Sequence, residues 1–534
     1  MIWNFAELWE VVADSIPDAQ AQVHGDRRLS WAEMERRANG IADVLRSAGL
    51  GREDKAAHYL YNCPEYLESL FAMLKISVAP VNTNYRYGDD ELVYLWDNAD
   101  AAAVVFHGTF TERVAALRPR VPKVKLWIRV DDGSGPCPDW AVDYEEAAAS
   151  HPDRVVTPGG RSGDDLYILY TGGTTGMPKG VLWRQEDILL TMNNQALRRY
   201  EETDSREQVA AKLDGPGPVH LPACPLMHGT GAFTSFGAFD TGGSVVTLTN
   251  RTFNVVELLD AIQREKVNTM AIVGDAFAKP MLAALDAEPG RWDISSLIMV
   301  ASSGVMWSEA TKQGLLRHHS GMILADAFSS SEALGMGSSV STGTGAAQTA
   351  KFILSPNARV VTEDGRDIEP GSGDIGMVAV GGRQPLGYYK DAEKTARTFK
   401  VIDGKRYSIP GDYATVEADG TLRILGRGSV CINTGGEKVY PEEVEEVMKE
   451  HPNVLDAVAV GVPDERFGEA ICAVVEPRPG QTVDEGDLIA HVKSKLASYK
   501  APKRVLTVST IGRAPNGKVD YKRLRQEAID RVTA

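Results

Sequence analysis

Residues Leu166–Gly180 read LYILYTGGTTGMPKG, an apolar run followed by a loop of glycines and threonines that contains Lys179. The short apolar run predicts a buried β-strand. Glycines let backbone amides turn towards an anion, threonine hydroxyls add hydrogen-bond donors, and Lys179 adds a positive charge. The segment therefore predicts a phosphate-binding loop at the end of a strand. The alternative is an ordinary surface loop between a strand and a helix.

Two familiar nucleotide-binding patterns do not fit this loop. A P-loop needs GxxxxGK[ST], but Met177 and Pro178 separate Gly176 from Lys179, and a glycine follows the lysine. The dinucleotide pattern GxGxxG does not match the spacing of these glycines either. The loop is therefore predicted to be a phosphate loop of another kind.

Apolar runs of β type alternate with helix-like stretches through most of the chain. The runs at Val245–Leu248, Thr269–Val273 and Leu297–Val300 are similar to Leu166–Tyr170, and Asn254–Lys266 has a helical pattern. Strand, helix and strand at this spacing predict an α/β body with a largely parallel sheet.

The sequence changes character twice towards its C-terminus. Residues 355–427 are rich in glycine and aspartate with short β-type runs, which predicts a small β-rich subdomain. Beyond them, PEEVEEVMKEHP reads as a helix with Pro441 in its first turn, and AVAVGVPDE and AICAVVEP read as strands. We therefore predict an N-terminal body over residues 1–427 and a small α+β domain over residues 428–534.

Composition narrows the class of protein. The 534 residues carry a formal net charge of −16, so no basic surplus exists to neutralise the phosphates of a nucleic acid. The five cysteines form no CxxC pair, which favours reduced thiols over disulfides or a zinc site. The N-terminus lacks a signal-peptide pattern, and no run approaches the roughly 20 apolar residues of a spanning helix. We expect a cytoplasmic protein, for which peripheral contact with a membrane stays open.

The loop and several later segments resemble the acyl-adenylate-forming, AMP-binding superfamily of acyl-CoA synthetases, firefly luciferase and peptide-synthetase adenylation domains. The matching segments follow the family's order and spacing along nearly the whole chain, and LWRQED at residues 182–187 looks most like bacterial fatty-acyl and steroid-side-chain acyl-CoA synthetases. The resemblance implies that residues 1–427 form the AMP-binding adenylation domain. It also implies that residues 428–534 form a mobile C-terminal domain.

The resemblance further implies a phosphate and adenine site built from three segments. The phosphates would be held by the loop residues Thr171, Gly172, Gly173, Thr174, Thr175 and Lys179. The adenine would be contacted by two other segments, Ser303-Gly304-Val305 and Asp326-Ala327-Phe328. Phe328 stands where the family has tyrosine, so aromatic stacking is kept while a hydroxyl contact is lost.

The same resemblance places four groups around the α-phosphate and the ribose. Ser331 would contact the α-phosphate, and Glu332 would hold Mg²⁺, a cation that binds carboxylate and phosphate oxygens. Asp412, in YSIPGD, would accept hydrogen bonds from the ribose hydroxyls. Arg427 would lie near the ribose or the phosphates.

The remaining matches concern the acyl group and its acceptor. His228, in PLMHGTG, would line the acyl pocket, and Lys518, in PNGK, would be the leading catalytic residue of adenylation. The pantetheine arm of coenzyme A would approach Gly435, Gly436 and Lys438. The rest of the acyl pocket is expected around Thr230–Phe236, Gly274–Phe277 and Ser302–Val305.

Together the matches imply an acyl-CoA synthetase that converts a carboxylic acid and ATP to acyl-AMP and pyrophosphate, then transfers the acyl group to coenzyme A. ATP, Mg²⁺ and coenzyme A would be its cofactors, and a fatty acid or a steroid side-chain acid its substrate, in a monomer or homodimer. Four alternatives stay open: a stand-alone enzyme that loads a carrier protein, an aryl-acid CoA ligase, a luciferase-like enzyme and a non-catalytic lipid sensor. Retention of Lys518, Glu332 and Asp412 speaks against the last.

Overall fold

The structure, a computed structural model, describes residues 1–150, 153–171, 177–194, 196, 198–434, 437–464, 468–514 and 517–533. Several predicted site residues lie outside this part of the chain, namely Gly172, Gly173, Thr174, Thr175, Gly435 and Gly436. The side chains of Arg427 and Lys438 also lie outside it, although their backbone is described.

One long sheet runs through the body and changes from parallel to antiparallel along its width. The strands from Gln20–His24 to Ile323–Ser330 pair parallel, and each later pair is antiparallel. The sheet begins at one edge with Arg27–Ser30, which pairs antiparallel with Gln20–His24. The parallel part follows, in the spatial order Gln20–His24, Ser244–Thr247, Val219–Pro222, Thr269–Ile272, Met299–Ser303 and Ile323–Ser330. It continues with Ala333–Ser341, Lys351–Leu354, Leu422–Arg427, Asp412–Val416, Gly376–Val380, Lys405–Ser408 and Phe399–Ile402, and Ala358–Val361 pairs with Gly376–Val380.

A second sheet lies in the N-terminal part of the body. Its strands in spatial order are Gly387–Tyr388, Lys179–Arg184, Leu166–Thr171, Ala79–Asn82, Lys55–Tyr59, Ala101–His107, Leu126–Val130 and Val142–Asp143. Lys179–Arg184 runs antiparallel to Leu166–Thr171, with Thr171 opposite Lys179. The glycine–threonine loop therefore connects two strands of a hairpin, and not a strand and a helix.

Helices cover the faces of both sheets. The α-helices of the body are Phe5–Ser15, Trp31–Ser47, Pro64–Lys75, Asp89–Asn98, Thr111–Leu117, Tyr144–Ala149, Gln185–Asn193, Arg206–Lys212, Gly229–Asp240, Val255–Glu265, Asp275–Ala287, Glu309–His318 and Ala392–Thr398. The helix predicted from Asn254 begins there because the Asn254 side chain accepts hydrogen bonds from the amides of Val256 and Glu257. None of the helices in the described ranges is long and apolar enough to cross a membrane.

The C-terminal segment folds around a sheet of its own. Its strands are Glu437–Val439, Ile432–Thr434, Gly468–Pro477 and Val454–Asp464, with Arg504–Thr507 parallel to Gly468–Pro477. Its helices are Pro441–Lys449, Glu485–Lys495 and Tyr521–Thr533, and each packs against an apolar core on one face of the sheet. The predicted fold class, a large α/β body with a β-rich part and a small α+β C-terminal domain, is confirmed.

Candidate active site

The predicted adenine segments meet at the carboxyl ends of neighbouring parallel strands. Ser302 pairs with Asp326 and Ser303 pairs with Ala327. Gly304 follows at φ +95°, a conformation that favours glycine. Ligands of open α/β sheets commonly bind at this edge. The sequence segments 303–305 and 326–328 therefore line one cleft.

Asp326 is held by a residue that the sequence analysis missed. Its carboxylate is buried and lies 3.2 Å from the Nζ of Lys312, which is itself buried. Burial raises the pKa of Asp326 to about 6, although Lys312 opposes the rise. The Asp326 carboxylate is thus directed towards Lys312, and its contact with a nucleotide stays a prediction.

Glu332 and Ser331 lie in a tight turn between two antiparallel strands. Glu332 is only 7% exposed, and Tyr388 Oη donates a hydrogen bond of 2.7 Å to its Oε1. The hydroxyl of Ser408 donates to the Glu332 carbonyl at 2.7 Å. The indole of Trp183 donates to the Ser331 carbonyl at 2.9 Å. Backbone and carboxylate of the predicted metal ligand are therefore both fixed.

Tyr388 and Trp183 connect this turn to the strand Lys179–Arg184, which follows the glycine–threonine loop in the sequence. Trp183 belongs to the strand that leaves the loop, and Tyr388 pairs with Val181 of that same strand. Trp183 stands in LWRQED, a segment that resembles the family, but no local pattern in the sequence indicated that Trp183 reaches Ser331 or that Tyr388 reaches Glu332. The strand Lys179–Arg184, which follows the phosphate loop, therefore also supports the turn that carries the predicted metal ligand Glu332.

Lys179 has an internal partner in this structure. Its Nζ lies 2.6 Å from Oδ2 of Asp391, and the hydrogen bond raises the pKa of Lys179 and lowers that of Asp391. Asp391 also accepts a hydrogen bond from the amide of Lys394 and so caps the helix Ala392–Thr398. The sequence predicted a mobile cation at Lys179, and the structure adds a competing carboxylate.

His228 and Lys518 come from different domains and lie near each other. Burial, followed by the positive charges of Lys518 and Arg86, lowers the pKa of His228 to about 3. The imidazole is therefore neutral at physiological pH. Arg86 was not singled out from the sequence, because a lone arginine in a loop carries no local signal.

The turn that carries Lys518 packs against the cleft. A Cβ atom on Gly517 would lie 3.1 Å from Ala276 Cβ and 3.1 Å from Val305 Cγ2. A Cβ atom on Gly304 would lie 3.8 Å from Val273 and 4.0 Å from Thr230 Oγ1. The three segments predicted for the acyl pocket and the Lys518 turn are thus brought together.

Asp412 and Phe328 belong to the β-rich side of the cleft. Asp412 is buried and pairs with Arg427 across two antiparallel strands, so the two predicted ribose contacts are neighbours in the backbone. The Phe328 ring lies 5.7 Å from that of Phe352.

Lys438, which was predicted to lie near the pantetheine arm, pairs through its backbone with Asn433 in the sheet of the C-terminal segment.

Two asparagines that the sequence analysis missed brace the loop before His228. Asn82 Nδ2 donates to the carbonyls of Tyr170 at 2.8 Å and Met227 at 2.7 Å, and Asn82 Oδ1 accepts from the Tyr170 amide at 2.6 Å. Asn62 accepts from the amide of Leu226 at 2.8 Å and donates to the Cys224 carbonyl at 3.1 Å. These asparagines therefore hold both the strand Leu166–Thr171, which leads into the phosphate loop, and the loop before His228 against the second sheet.

Replacing Asn82 with alanine should destabilise the protein by about 2–4 kcal/mol, because three buried backbone groups lose their partners. Chemical denaturation of the variant and the parent protein measures this difference. An unchanged free energy of unfolding would show that the hydrogen bonds of Asn82 to Tyr170 and Met227 do not stabilise the fold.

Magnesium suits the donor set around Glu332. Among the described residues, no three histidine, cysteine or carboxylate side chains gather into a metal-binding group. Mg²⁺ commonly binds through one or two carboxylates and the phosphates of a nucleotide. A single buried carboxylate that is hydrogen-bonded to Tyr388, a residue paired with the strand that follows the phosphate loop, therefore fits this ion.

Comparison with known proteins identifies the family of the chain. The chain matches the AMP-binding enzyme family over residues 9–389 and the AMP-binding enzyme C-terminal domain over residues 443–518. It is 42% identical to 3-oxocholest-4-en-26-oate–CoA ligase of Rhodococcus rhodochrous over 540 residues, covering 98% of this chain and 95% of that protein. It is also 42% identical to medium-chain acyl-CoA ligase Mig of Mycobacterium avium, covering 98% of this chain and 97% of that protein.

The same fold occurs in a solved structure with an adenylate. Anthranilate CoA ligase AuaEII in complex with anthranoyl-AMP superposes with a TM-score of 0.85 at 19% identity, covering 100% of this chain and 99% of that one. At that identity the likeness concerns the fold. The family match extends over most of the body and into the C-terminal domain, and the chain therefore belongs to the AMP-binding enzyme family.

Proposed function

We propose that the chain is an AMP-forming acyl-CoA synthetase. The observation that carries the proposal is the position of the Lys518 turn, which packs on Val305 and brings Lys518 near His228. That arrangement suits the first half-reaction. A carboxylate oxygen attacks the α-phosphorus of ATP, the bond from that phosphorus to the bridging oxygen breaks, and pyrophosphate leaves.

Charge and geometry are what this step demands of the protein. Two anions must meet, so the barrier falls when cations and donors are held in place beforehand. Lys518 supplies a cation, and the neutral His228 shapes the acyl side without adding charge. Bound Mg²⁺ would supply further positive charge at the phosphates, with Glu332 as its ligand and Tyr388 fixing that carboxylate.

The second half-reaction needs a different arrangement. The sulfur of coenzyme A attacks the acyl carbon, the bond from that carbon to the AMP oxygen breaks, and AMP leaves. In the proposed cycle, as the family resemblance implies, the C-terminal domain turns so that Lys518 leaves the path of the thiol and the Gly435, Gly436 and Lys438 region takes its place. Such motion suits a small domain joined by a short connection.

The proposed acid is a medium- or long-chain fatty acid or a steroid side-chain acid. Two close relatives are named for such substrates, and each is matched over nearly its whole length. Gly517 lies against the apolar side chains of Ala276 and Val305, and the Val273 side chain lies near Gly304; apolar side chains of this kind suit an acyl chain or a steroid. A cytoplasmic location and a monomeric or homodimeric state remain predictions.

Acid-dependent exchange between ATP and pyrophosphate tests this proposal. A panel of medium-chain and long-chain fatty acids, 3-oxo-steroid side-chain acids, aryl acids and amino acids should give exchange with the first two groups. Transfer is then followed with coenzyme A and, separately, with a phosphopantetheinylated carrier protein. Exchange only with aryl or amino acids, or transfer only to the carrier protein, would contradict the proposed substrate or acceptor.

A further inference from the structure

One arginine of the C-terminal domain holds the turn that carries Lys518. Arg513 Nη1 donates to the carbonyl oxygen of Gly517 at 3.1 Å. The same guanidinium donates twice to Asp456, from Nε to Oδ2 at 2.6 Å and from Nη2 to Oδ1 at 2.9 Å. A bidentate pair fixes the plane of the guanidinium as well as its position. Asp456 therefore orients the Arg513 guanidinium, and Arg513 fixes the position of the Gly517 carbonyl, which directly precedes Lys518.

Backbone contacts close the turn around this hydrogen bond. The Ala514 amide donates to the Lys518 carbonyl at 2.9 Å, and the Gly517 amide donates to the Ala514 carbonyl at 2.7 Å. Gly517 has φ +71° and packs closely on Ala276 and Val305. Ala514, Gly517 and Lys518, the described residues of this turn, are therefore held by backbone hydrogen bonds and close packing as well as by Arg513.

The Arg513–Asp456 pair is a firm anchor. Each side chain is only 20% exposed. Burial alone would raise the pKa of Asp456, but the hydrogen bonds and charge of Arg513 hold it below its ordinary value. The carboxylate is therefore ionised at neutral pH, and a bidentate, largely buried pair is stronger than a flexible surface pair.

We propose that Arg513 is a positioning residue for adenylation, which orients the Lys518 turn towards the reacting carboxylate and α-phosphate without touching either. The inference rests on the proposed function. Arg513, Asp456 and Gly517 all belong to the C-terminal domain, so the brace travels with Lys518 when the domain turns. Loss of Arg513 therefore acts on the first half-reaction and spares the second.

Arg525 provides a matched control in the same domain. Its Nε donates to the Gly461 carbonyl at 2.8 Å and its Nη2 donates to Glu469 Oε1 at 2.9 Å. The partners are again one carbonyl and one carboxylate, but they tie the helix Tyr521–Thr533 to the sheet and not to the Lys518 turn. Arg525→Gln should leave both half-reactions at the parent rates.

The experiment measures the two half-reactions separately in the full-length protein. Arg513→Gln should lower acid-dependent ATP–pyrophosphate exchange by about 10- to 100-fold, because misplacing a catalytic group by about 1 Å has an effect of this order. Thioester formation from supplied acyl-adenylate and coenzyme A should stay nearly unchanged. In a Lys518→Ala background, adding Arg513→Gln should lower exchange no further, since both changes remove the same contribution.

An equal fall in both half-reactions, or a further fall in the Lys518→Ala background, would overturn the inference. If thermal melting shows that Arg513→Gln does not fold, Asp456→Asn must produce the same split, and an equal fall again overturns it. Absence of acid-dependent exchange in the parent protein would instead contradict the proposed function, so the two failures are distinct.

Discussion

Replacing Lys518 with alanine should lower the rate of acyl-adenylate formation by about 10²–10³-fold, the usual effect of removing a preorganised charge contact. The physical reason is that Lys518 brings its cation to the cleft near His228, where negative charge develops on the phosphate oxygens. Thioester formation from supplied acyl-adenylate should be largely intact, because the proposed mechanism has the C-terminal domain present another face for that step. Acid-dependent ATP–pyrophosphate exchange measures the first effect and thioester formation measures the second.

Lys522 serves as the control for this variant. It is an exposed lysine on the helix Tyr521–Thr533, four positions from Lys518, and Lys522→Ala removes the same charge without reaching the cleft. Only Lys518→Ala should separate the two half-reactions. If both half-reactions fell equally in Lys518→Ala, the assignment of Lys518 to adenylation would be wrong.

Replacing Glu332 with glutamine should also lower adenylation by about 10²–10³-fold, because the change removes a preorganised charge from the site. Glutamine keeps the shape of the side chain and still accepts the hydrogen bond from Tyr388, so the buried turn should persist. The Mg²⁺ concentration that gives half-maximal exchange should rise as well. A titration with Mg²⁺ at saturating ATP and acid measures both effects.

Tyr388→Phe gives a graded comparison with Glu332→Gln. Removing the hydroxyl leaves the carboxylate charged but free to reorient, and loss of such a supporting contact typically costs about 10- to 100-fold in metal affinity or activity. Glu393→Gln, an exposed carboxylate on the helix Ala392–Thr398, is the control. An unchanged Mg²⁺ requirement in Glu332→Gln would mean that Glu332 does not hold the ion.

Local pattern located the elements that we predicted individually to within about three residues, the largest displacement being the run Leu297–Val300, which is observed as the strand Met299–Ser303. The helix predicted over Asn254–Lys266 is observed over Val255–Glu265, and the strand predicted over Thr269–Val273 is observed over Thr269–Ile272. The turn at Glu332 was less accessible, because its sequence also suits the start of a helix, and only pairing of the flanking strands decides between them. Short-range propensity is weak where tertiary pairing dominates.

The supporting contacts of the site could not be predicted in the same way. Asn82 reaches a residue 145 positions away, Tyr388 reaches one 56 positions away, and Lys179 reaches one 212 positions away. No periodicity or motif in the sequence encodes such distances, because they follow from how the two sheets are placed. The family resemblance identified residues that match its motifs, while these partners required the folded chain.

The ion pair between Lys179 and Asp391 has a consequence for turnover. The family resemblance makes Lys179 a phosphate ligand, so we expect an arriving triphosphate to compete with Asp391 for the lysine, which lowers the affinity of the cleft for anions. When pyrophosphate leaves, we expect Asp391 to pair with Lys179 again, so that no ion from solution is needed to balance the charge of the lysine. We therefore expect the ion pair to weaken the binding of pyrophosphate and of inorganic phosphate at Lys179.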